Sequence, residues 1–538
     1  MLAFSAHRVL GILFLVTQSS AQAVIGPVAD LYVYNKVIAP DGFNRSAVVV
    51  DGQHPAPLIK ASKGDRFSLN VHNNLTDNTM ERALTIHWHG LFQRKTNWAD
   101  GVAMVTQCPI IPGESFLYDF TPAGQTGTYW YHSHFGEQYC DGLRGPLIIY
   151  DPDDPFKHMY DVDDESTVLT ISDWQHLPTS ELPEFPPTID SILFNGKGRY
   201  YPGGPKTDLA VVAVEQGKRY RMRLLSLSCD PNFIVWIDGH DMTVIEADGE
   251  LHKPVTVGSI QIFSGQRYSF ILNAKEPVGN YWIWAQTGPS APYLPGIINS
   301  GVPVAIVRYL GANDSEPTAT TSTFADMLNE TQLHPLVNPE APGEPCHGCA
   351  DVNLNLPSEF FLHQLDPPVG NWTMNHAKYE PPSVPVLLQI MNGVPAQKLL
   401  PSKSVYSLPP NKVIEISFPV VNEANLSHPI HLHGHSFSVV RSAGTGPDGY
   451  NYINPPRRDV VSLGNTTADN VTIRFVTDNP GPWLLHCHID YHLAAGFAVV
   501  LAEDVQDTVA NDLPVPLEWN NLCPAYAKFN SSSPSAGD

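Results

Sequence analysis

Two short motifs recur three times along this chain of 538 residues, and their recurrence limits the folds that the chain can adopt. The first motif occupies residues 86–90 and returns at residues 430–434, with a degenerate copy at residues 235–239. It reads Ile-His-Trp-His-Gly in the first copy, Ile-His-Leu-His-Gly in the last and Val-Trp-Ile-Asp-Gly in the middle. The repetition predicts three related domains.

A second motif follows the first in each of the three units. It occupies residues 127–134, 279–286 and 481–488, and each copy begins with glycine. The outer copies end in His-Ser-His and His-Cys-His, whereas the middle copy ends in Trp-Ala-Gln. We infer that the middle domain has lost the metal ligands of the other two. It is then either structural or shapes a substrate site.

The composition favours strands over helices. Charged residues make up only 16% of the chain, 49 residues are proline, and short runs of Val, Ile, Tyr and Phe alternate with turn residues. An acidic run at residues 151–166 and a Ser-, Thr- and Ala-rich run at residues 311–323 are predicted linkers. The predicted fold is all-β. Its three β-sandwich domains are predicted at residues 24–154, 155–323 and 324–538.

Residues 1–23 have the pattern of a secretory signal. A short basic start precedes an apolar run over residues 9–16, and small residues follow at positions 21–23. The apolar run is too short to span a bilayer, which disfavours the alternative of an amino-terminal membrane anchor. Nine Asn-x-Ser/Thr sequons for glycosylation also favour export. They lie at Asn44, Asn74, Asn313, Asn329, Asn371, Asn425, Asn465, Asn470 and Asn530.

The net charge of −23 limits the partners of the protein. Nucleic acid and anionic membrane surfaces both repel a strongly acidic protein. The mature protein is therefore expected to be soluble and extracellular, without nucleic acid or membrane as a partner.

The stretch at residues 481–492 combines a cysteine with three histidines. If it is an extended strand, His486 and His488 point to one face and Cys487 points to the other. A soft thiolate on one face and two imidazoles on the other can serve two different metal centres. Only one residue of backbone would separate those centres, which makes the peptide a short path for electrons.

Four His-x-His pairs carry the case for a metal cluster. With 22 histidines in the chain, about one such pair is expected by chance, and five are present. Because each pair faces one side of a strand, pairs from the first and third domains can converge at their interface. Neutral imidazoles suit copper, zinc, iron or nickel. The eight residues are His87, His89, His132, His134, His431, His433, His486 and His488.

The thiolate of Cys487 requires imidazole partners of its own. His492 follows it by five residues, and His428 is the best candidate for a second imidazole. One sulfur and two imidazoles form the ligand set of a blue-copper electron-transfer centre, whereas a closed zinc site needs a fourth strong ligand. Phe497 stands ten residues after Cys487, where such centres often place a weak axial methionine. A phenyl ring there leaves the copper three-coordinate and should raise its potential.

These motifs resemble the four copper-binding motifs of multicopper oxidases. From Val24 to about Tyr526 the whole chain is similar to fungal laccases of the basidiomycete type, including residues 97–101 and 139–146. The resemblance implies three consecutive cupredoxin-like Greek-key β-sandwich domains. It also implies a monomer that holds four copper ions.

The resemblance also implies a role for each ligand. His428, Cys487 and His492 would hold the type 1 copper, and His87 and His431 would hold the type 2 copper. The type 3 pair would be held by His89, His132, His134, His433, His486 and His488.

Seven cysteines are present, and Cys487 leaves an even number for disulfides in an oxidising compartment. The resemblance implies the pairs Cys108–Cys523 and Cys140–Cys229. Cys346 and Cys349 are not part of the pattern expected of laccases. A local disulfide between them is favoured over a metal or redox role.

The activity implied by the resemblance is one-electron oxidation of phenols and aromatic amines, coupled to reduction of O₂ to water. The substrate would meet the edge of His492 and pass its electron to the copper at Cys487. Asp230 matches the substrate-binding acid of fungal laccases and would accept the phenol proton in a mildly acidic medium, although an ordinary loop aspartate is the alternative. Asp100 resembles an acid near the trinuclear cluster that would supply protons, and Phe185 would line the substrate pocket. Lignin degradation, pigment formation and defence are all compatible biological roles.

Two other functions would use some of the same residues. A ferroxidase of the same family would place several carboxylates around the type 1 histidine, often together with a carboxy-terminal anchor. A copper-binding electron carrier would use His428, Cys487 and His492, but it has no need of eight further histidines. Both alternatives are therefore less favoured than a laccase.

Overall fold

The computed structural model describes ten stretches of the chain. They are residues 23–122, 124–182, 188–288, 301–319, 322–363, 369–395, 398–400, 404–422, 427–511 and 515–532. Residues 1–22 of the predicted secretory signal, the pocket residue Phe185 and the sequon at Asn425 lie outside the described residues.

Among the residues that the structure describes, nine strands form the amino-terminal β-sandwich. They are β1 (Val24–Ile25), β2 (Val28–Ile38), β3 (Arg45–Val50), β4 (Leu58–Ser62), β5 (Phe67–Asn73), β6 (Ile86–His89), β7 (Ser115–Phe120), β8 (Gly127–Ser133) and β9 (Arg144–Tyr150). One sheet has the order β1-β4-β9-β8-β6 and the other the order β3-β2-β5-β7. Along β5, buried Phe67, Leu69 and Val71 alternate with half-buried polar residues, as the two-residue period of a strand dictates. The inner faces of the two sheets therefore enclose an apolar core.

Within the described ranges, twelve strands form the middle β-sandwich. They are β10 (Val168–Trp174), β11 (Ser191–Phe194), β12 (Lys197–Gly198), β13 (Ala210–Val214), β14 (Arg219–Ser226), β15 (Phe233–Ile237), β16 (Met242–Ala247), β17 (Glu250–Val257), β18 (Ser259–Ile262), β19 (Arg267–Asn273), β20 (Asn280–Thr287) and β21 (Val302–Tyr309). The larger sheet has the order β12-β11-β10-β14-β19-β16-β17 and the smaller one the order β13-β21-β20-β15-β18. A second apolar core lies between them.

The described part of the carboxy-terminal unit contains twelve strands and four α-helices. The strands are β22 (Val352–Asn355), β23 (Ser358–His363), β24 (Val369–Met374), β25 (Val405–Leu408), β26 (Val413–Pro419), β27 (Pro429–Leu432), β28 (Phe437–Arg441), β29 (Arg457–Arg458), β30 (Val460–Ser462), β31 (Asn470–Val476), β32 (Gly481–Cys487) and β33 (Ala498–Glu503). The helices are α1 (Val386–Met391), α2 (Asp490–Ala494), α3 (Val505–Asn511) and α4 (Leu517–Ser532). The sheets β22-β26-β31-β28-β29 and β25-β33-β32-β27-β30 form the sandwich, and β23 and β24 form a hairpin.

The two sequence motifs form the same antiparallel strand pair in every domain. The pairs are β6 with β8, β15 with β20, and β27 with β32. The register is also equivalent, because the paired residues are His87 with His132, Trp236 with Trp284, and His431 with His486. The fold is therefore all-β and built from three related β-sandwiches, which confirms the prediction of fold class.

Three disulfides are present among the described residues. Cys108–Cys523 ties helix α4 to the first sandwich, and Cys140–Cys229 ties the first sandwich to the second. Cys346–Cys349 closes a local turn before β22.

The domain boundaries stay predictions. The linker at residues 151–166 does separate the strands of the first sandwich from those of the second. The boundary predicted after residue 323 is less clear-cut, because Leu328 and Leu333 pack in the core of the middle sandwich. The chain therefore still contacts the middle domain for several residues beyond that position.

Candidate metal centres

Three successive residues reach three different clusters where β32 ends: His486, Cys487 and, directly after the strand, His488. β32 lies inside its sheet between β27 and β33, which fixes the direction of each side chain. In each cluster, the ligand-type atoms lie within 4.8 Å of one another. The clusters are His134, His433 and His486; His428, Cys487 and His492; and His89, His132 and His488.

The cluster around Cys487 has the geometry of a three-coordinate metal site. Cys487 Sγ lies 3.7 Å from His428 Nδ1 and 3.6 Å from His492 Nδ1, and the two nitrogens are 3.1 Å apart. One point is about 2 Å from all three atoms, a distance suited to metal–nitrogen and metal–sulfur bonds. His492 reaches the cluster because the chain turns into the short helix α2 just after β32.

Two aromatic rings close one side of this cluster. Phe497 is fully buried, with its ring centroid 5.2 Å from that of His428. The Trp372 ring stacks on Phe497 with 5.2 Å between centroids and lies 4.6 Å from the His492 ring. Phenyl and indole rings are not metal donors, so they surround the donor set without adding to it.

The other motif histidines converge between the first and third domains. His433 Nε2 and His486 Nε2 are 3.1 Å apart, and His488 Nε2 lies 3.1 Å from His89 Nδ1. His87 and His431 form a further group with His89. The structure thus brings together all four His-x-His pairs that the sequence singled out.

Oxygen atoms of the surrounding chain orient these imidazoles. Nδ1 of His87 lies 2.7 Å from the Asp100 carbonyl oxygen, and Nδ1 of His431 lies 2.9 Å from the Asp459 carbonyl oxygen. The corresponding distance from His132 Nδ1 to the Ser133 carbonyl oxygen is 2.8 Å. A carbonyl oxygen only accepts, so each Nδ1 carries the proton and each Nε2 is left as a donor atom for a metal.

These Nε2 atoms fit a bound metal. Nε2 of His87, His132, His134 and His431 is buried, and none of the four has a hydrogen-bond partner among the described residues. A buried acceptor without a partner costs free energy, and coordination to a metal removes that cost. Imidazole and thiolate donors together suit copper.

Burial also keeps the imidazoles in the ligand form. It lowers the pKa of His486 to about 3. The pKa values of His431 and His433 lie well below the ordinary value, because of burial first and then repulsion from neighbouring imidazoles. Neutral imidazole is the form that binds a metal.

Asp100 holds two of the histidines from behind. Its carbonyl oxygen accepts from His87, and its Oδ2 lies 2.9 Å from His433 Nδ1. The residue is fully buried and caps the carboxyl end of the short 3₁₀ helix at residues 97–99. The structure therefore places Asp100 next to the imidazole cluster, in contact with its ligands.

Asp459 and Arg267 support the same cluster, although the sequence motifs do not predict either residue as part of the site. The Arg267 guanidinium, from β19 of the middle domain, donates to both carboxylate oxygens of Asp459 at 2.6 and 2.7 Å. Asp459 Oδ1 also lies 3.3 Å from His89 Nε2. Burial raises the pKa of Asp459 to about 7, against the lowering effect of Arg267. No spacing rule marks either residue, so the sequence carried no signal for them.

The middle domain closes one wall of the cluster. A Cβ atom at Gly265 would lie 2.9 Å from His488 Cδ2 and 3.1 Å from His89 Cε1. Only glycine therefore lets the β18–β19 turn approach the imidazoles so closely.

Asp230 lies in a loop that contacts the start of helix α2. The Asp490 N–H donates to the Cys229 carbonyl oxygen at 3.2 Å, which ties this loop to the helix that bears His492. Asp230 is 7% exposed, and its Oδ2 has no hydrogen-bond partner in the described part of the chain. Burial, followed by repulsion from Asp173, raises the pKa of Asp230 to about 8. With this pKa the carboxyl ionises only near pH 8, whereas the sequence predicts that it is ionised in a mildly acidic medium.

Comparisons with known proteins agree with this geometry. Three models described as multicopper oxidase match residues 33–154, 165–312 and 379–507. Laccase-5 of Trametes villosa is 54% identical over 516 residues, which cover 94% of this chain and 95% of the relative. The laccase of Pycnoporus cinnabarinus is 56% identical over 514 residues, which cover 95% and 96%.

Solved structures have the same fold. The laccase of Botrytis aclada aligns with a TM-score of 0.80 at 30% identity, covering 96% of this chain and 94% of that one. Fet3p, described as a multicopper oxidase that functions in iron import, aligns with a TM-score of 0.80 at 26% identity, covering 94% and 95%.

The chain belongs to the multicopper oxidase family, whose members hold copper. Within that family, the extent of identity to the Trametes and Pycnoporus proteins places it with the fungal laccases of the basidiomycete type. The resemblance noted in the sequence is thereby confirmed.

Proposed function

We propose that the protein is a secreted laccase with four copper ions, which oxidises phenols and aromatic amines and reduces O₂ to water. One observation carries the proposal: residues 486–488 join the cluster around the Cys487 thiolate to the cluster of eight imidazoles. Phenols give up one electron at a time, whereas reduction of O₂ to water takes four. A single-electron entry site next to a larger cluster meets both requirements.

The proposed ligand assignment follows the clusters. Bound copper supplies the electron-accepting and oxygen-reducing chemistry. The type 1 ion is assigned to His428, Cys487 and His492, and the type 2 ion to His87 and His431. The type 3 ions are assigned to two triads, His89 with His132 and His488, and His134 with His433 and His486.

Burial of residues 486–488 excludes water from the link between the two clusters, and backbone hydrogen bonds fix its length. Cys487 is fully buried, and His486 and His488 are each 2% exposed. The Cys487 N–H donates to the Phe497 carbonyl oxygen at 3.1 Å, and the His488 N–H donates to the Pro429 carbonyl oxygen at 2.7 Å. These bonds hold the backbone of the tripeptide rigid, so the separation of the clusters is fixed by covalent geometry.

Asp230 is proposed to bind the phenol and accept its proton, with Phe185 lining the same pocket. A carboxyl with a pKa of about 8 is a stronger base than an ordinary aspartate. It is therefore better matched to a phenol, whose pKa is about 10. Asp100 is proposed to support proton supply to the imidazole cluster through its contact with His433.

Secretion has two supporting observations, the disulfides and the amino-terminal sequence pattern. The described cysteines other than Cys487 are joined in three disulfides, which persist in oxidising compartments. Residues 1–23 have the pattern of a cleaved signal. No helix in the described part of the chain is long and apolar enough to cross a membrane. Glycosylation at the sequons and a monomeric state complete the proposal.

Oxygen uptake by the copper-loaded protein tests the function, with a methoxyphenol and ferrous iron measured side by side. We expect fast uptake with the phenol, no release of peroxide and four copper ions per chain by metal analysis. Uptake with iron alone would instead identify a ferroxidase, an alternative kept open by the structural similarity to Fet3p. A blue protein with one copper ion and no uptake would identify an electron carrier.

A further inference from the structure

The Cys346–Cys349 disulfide differs from the other two in size and exposure. It joins residues three positions apart, whereas Cys108–Cys523 and Cys140–Cys229 join residues 415 and 89 positions apart. Cys349 is exposed and Cys346 is half-buried, whereas Cys140 and Cys229 are fully buried. A bond that closes so short a loop restricts the unfolded chain least. In the third bond Cys108 is buried and Cys523 is half-buried. The Cys346–Cys349 bond is therefore the most exposed of the three and the one that restricts the unfolded chain least.

In the sequence, a histidine that contacts a buried carboxylate lies between the two cysteines. The His347 side chain is 52% exposed, and its Nδ1 lies 2.8 Å from Oε1 of Glu415, which is 2% exposed. Glu415 accepts the Nδ1 proton, so Nε2 is the basic nitrogen of the ring. The ring also stacks on Tyr450 with 4.8 Å between centroids. The imidazole is thus oriented in the way that active sites orient a base.

The turn that carries the disulfide is anchored independently of the sulfur atoms. The Gly348 N–H donates to Glu415 Oε1 at 2.8 Å, and Arg474 Nη2 donates to the Cys346 carbonyl oxygen at 2.6 Å. Arg474 Nε also donates to Glu415 Oε2 at 2.7 Å. These contacts fix the turn to strands β26 and β31. The two sulfurs therefore stay near each other when the bond between them opens.

We propose that residues 346–349 form a thiol–disulfide exchange site for low-molecular-weight thiols. A thiolate attacks the exposed Cys349 Sγ, a bond forms between the two sulfurs, and Cys346 leaves as a thiolate. A second thiolate then attacks the thiol-derived sulfur of the mixed disulfide and releases Cys349. In the balance, two thiols become one small disulfide, and the protein disulfide gains two electrons and two protons.

His347 is proposed to generate the attacking thiolate. An ordinary thiol has a pKa of about 8.5 and is mostly protonated at neutral pH. The His347 imidazole, whose residue lies between the two cysteines in the chain, would accept that proton at Nε2 and so supply the attacking thiolate. The proposal concerns the outer face of the third domain and does not depend on the enzyme's oxidase activity.

Alkylation of the copper-loaded protein tests the site. The protein is incubated with millimolar glutathione under nitrogen, quenched with iodoacetamide and mapped by peptide mass spectrometry. We expect label on Cys346 and Cys349, a transient glutathione adduct on Cys349, and intact bonds at the other four disulfide cysteines. The absence of label at residues 346 and 349, or equal label at all six cysteines, would overturn the proposal.

His347→Gln tests the base, with His376→Gln as its matched control. His376 is also exposed, and its Nδ1 lies 2.7 Å from Glu359 Oε2, but it has no place in the cysteine turn. We expect exchange about tenfold slower in His347→Gln at pH 6.5, with the difference disappearing above pH 9 where thiols ionise unaided. Equal rates in His347→Gln and His376→Gln at pH 6.5 would overturn the role of His347.

Discussion

The outer domains and the middle domain use the same strand pair for different purposes. At equivalent register, His431 faces His486 in the third domain, whereas Trp236 faces Trp284 in the middle domain. The two indole rings stack with 6.0 Å between centroids and are 3% exposed. The sandwich therefore forms with an apolar pair at this register as well as with imidazoles. The metal ligands are an addition to the fold and not a requirement of it.

The middle domain nevertheless shapes the clusters that it does not ligate. Gly265 allows the β18–β19 turn to approach His488 and His89, and Arg267 neutralises Asp459 beneath them. A domain without histidine pairs thus supplies close packing and positive charge where the other two supply donors. The proposed metal ligands therefore come from the first and third domains, while the middle domain supplies residues that contact those ligands or their supports. Substitutions in each group can test this difference.

Cys487→Ser has the largest expected effect on activity. It removes the thiolate from the entry cluster and makes the third domain resemble the middle one, in which the equivalent strand carries no sulfur. We expect loss of measurable phenol oxidation and of the blue colour, with secretion and circular dichroism unchanged. Failure of this variant to fold would contradict the conclusion that ligands are additions to the sandwich.

Asp459→Asn has the next largest expected effect. An amide oxygen accepts only one of the two Arg267 bonds, which leaves a buried guanidinium partly unpaired beside His89. Loss of support behind a ligand typically lowers metal affinity or activity by about 10- to 100-fold. The measurement is copper content and oxygen uptake, with Asp238→Asn in the middle domain as control. Equal values for the two variants would mean that the middle domain does not tune the cluster.

Asp230→Asn should act on phenols and spare donors that carry no proton. We expect about tenfold slower phenol oxidation, below the usual range for a general base because water also accepts the proton. The ratio of wild-type to variant rates should increase as pH rises through about 8, where the carboxyl ionises. The control is a metal-complex electron donor measured with the same proteins. An equal loss on both donors would exclude Asp230 as the proton acceptor.

The same substitution has a consequence for stability. The folded-state pKa of Asp230 is raised above its unfolded value, so the folded protein binds this proton more tightly. Stability is therefore lost as pH rises from about 4 to about 8, by at most about 6 kcal/mol. Asp230→Asn removes this dependence and should raise the melting temperature at pH 8 but not at pH 4. If Asp230→Asn differed from the wild type by the same melting-temperature shift at pH 4 and at pH 8, burial would not raise this pKa.

Much of the site was predictable because histidine pairs two residues apart share one face of a strand. The sequence could not divide them, since His486 and His488 are neighbours in the chain but join triads with different residues of the first domain. Asp459 and Arg267 are set by contact between domains, and no local spacing encodes them. The boundary predicted after residue 323 rests on composition, whereas the packing of Leu328 on the middle core depends on tertiary contacts that composition does not encode.

The smallest expected effect comes from the tryptophan pair itself. Trp236 Nε1 donates to Ser322 Oγ at 3.0 Å, whereas Trp284 Nε1 has no partner among the described residues. Trp236→Phe therefore loses a hydrogen bond, and Trp284→Phe removes an unsatisfied donor. We expect Trp236→Phe to be less stable than Trp284→Phe by about 1 kcal/mol, or about 3 °C in melting temperature. Both variants should oxidise phenols at the wild-type rate, because Trp236 and Trp284 lie on β15 and β20, and neither strand carries a proposed metal ligand. Slower oxidation in either one would show that this pair contributes to the clusters after all.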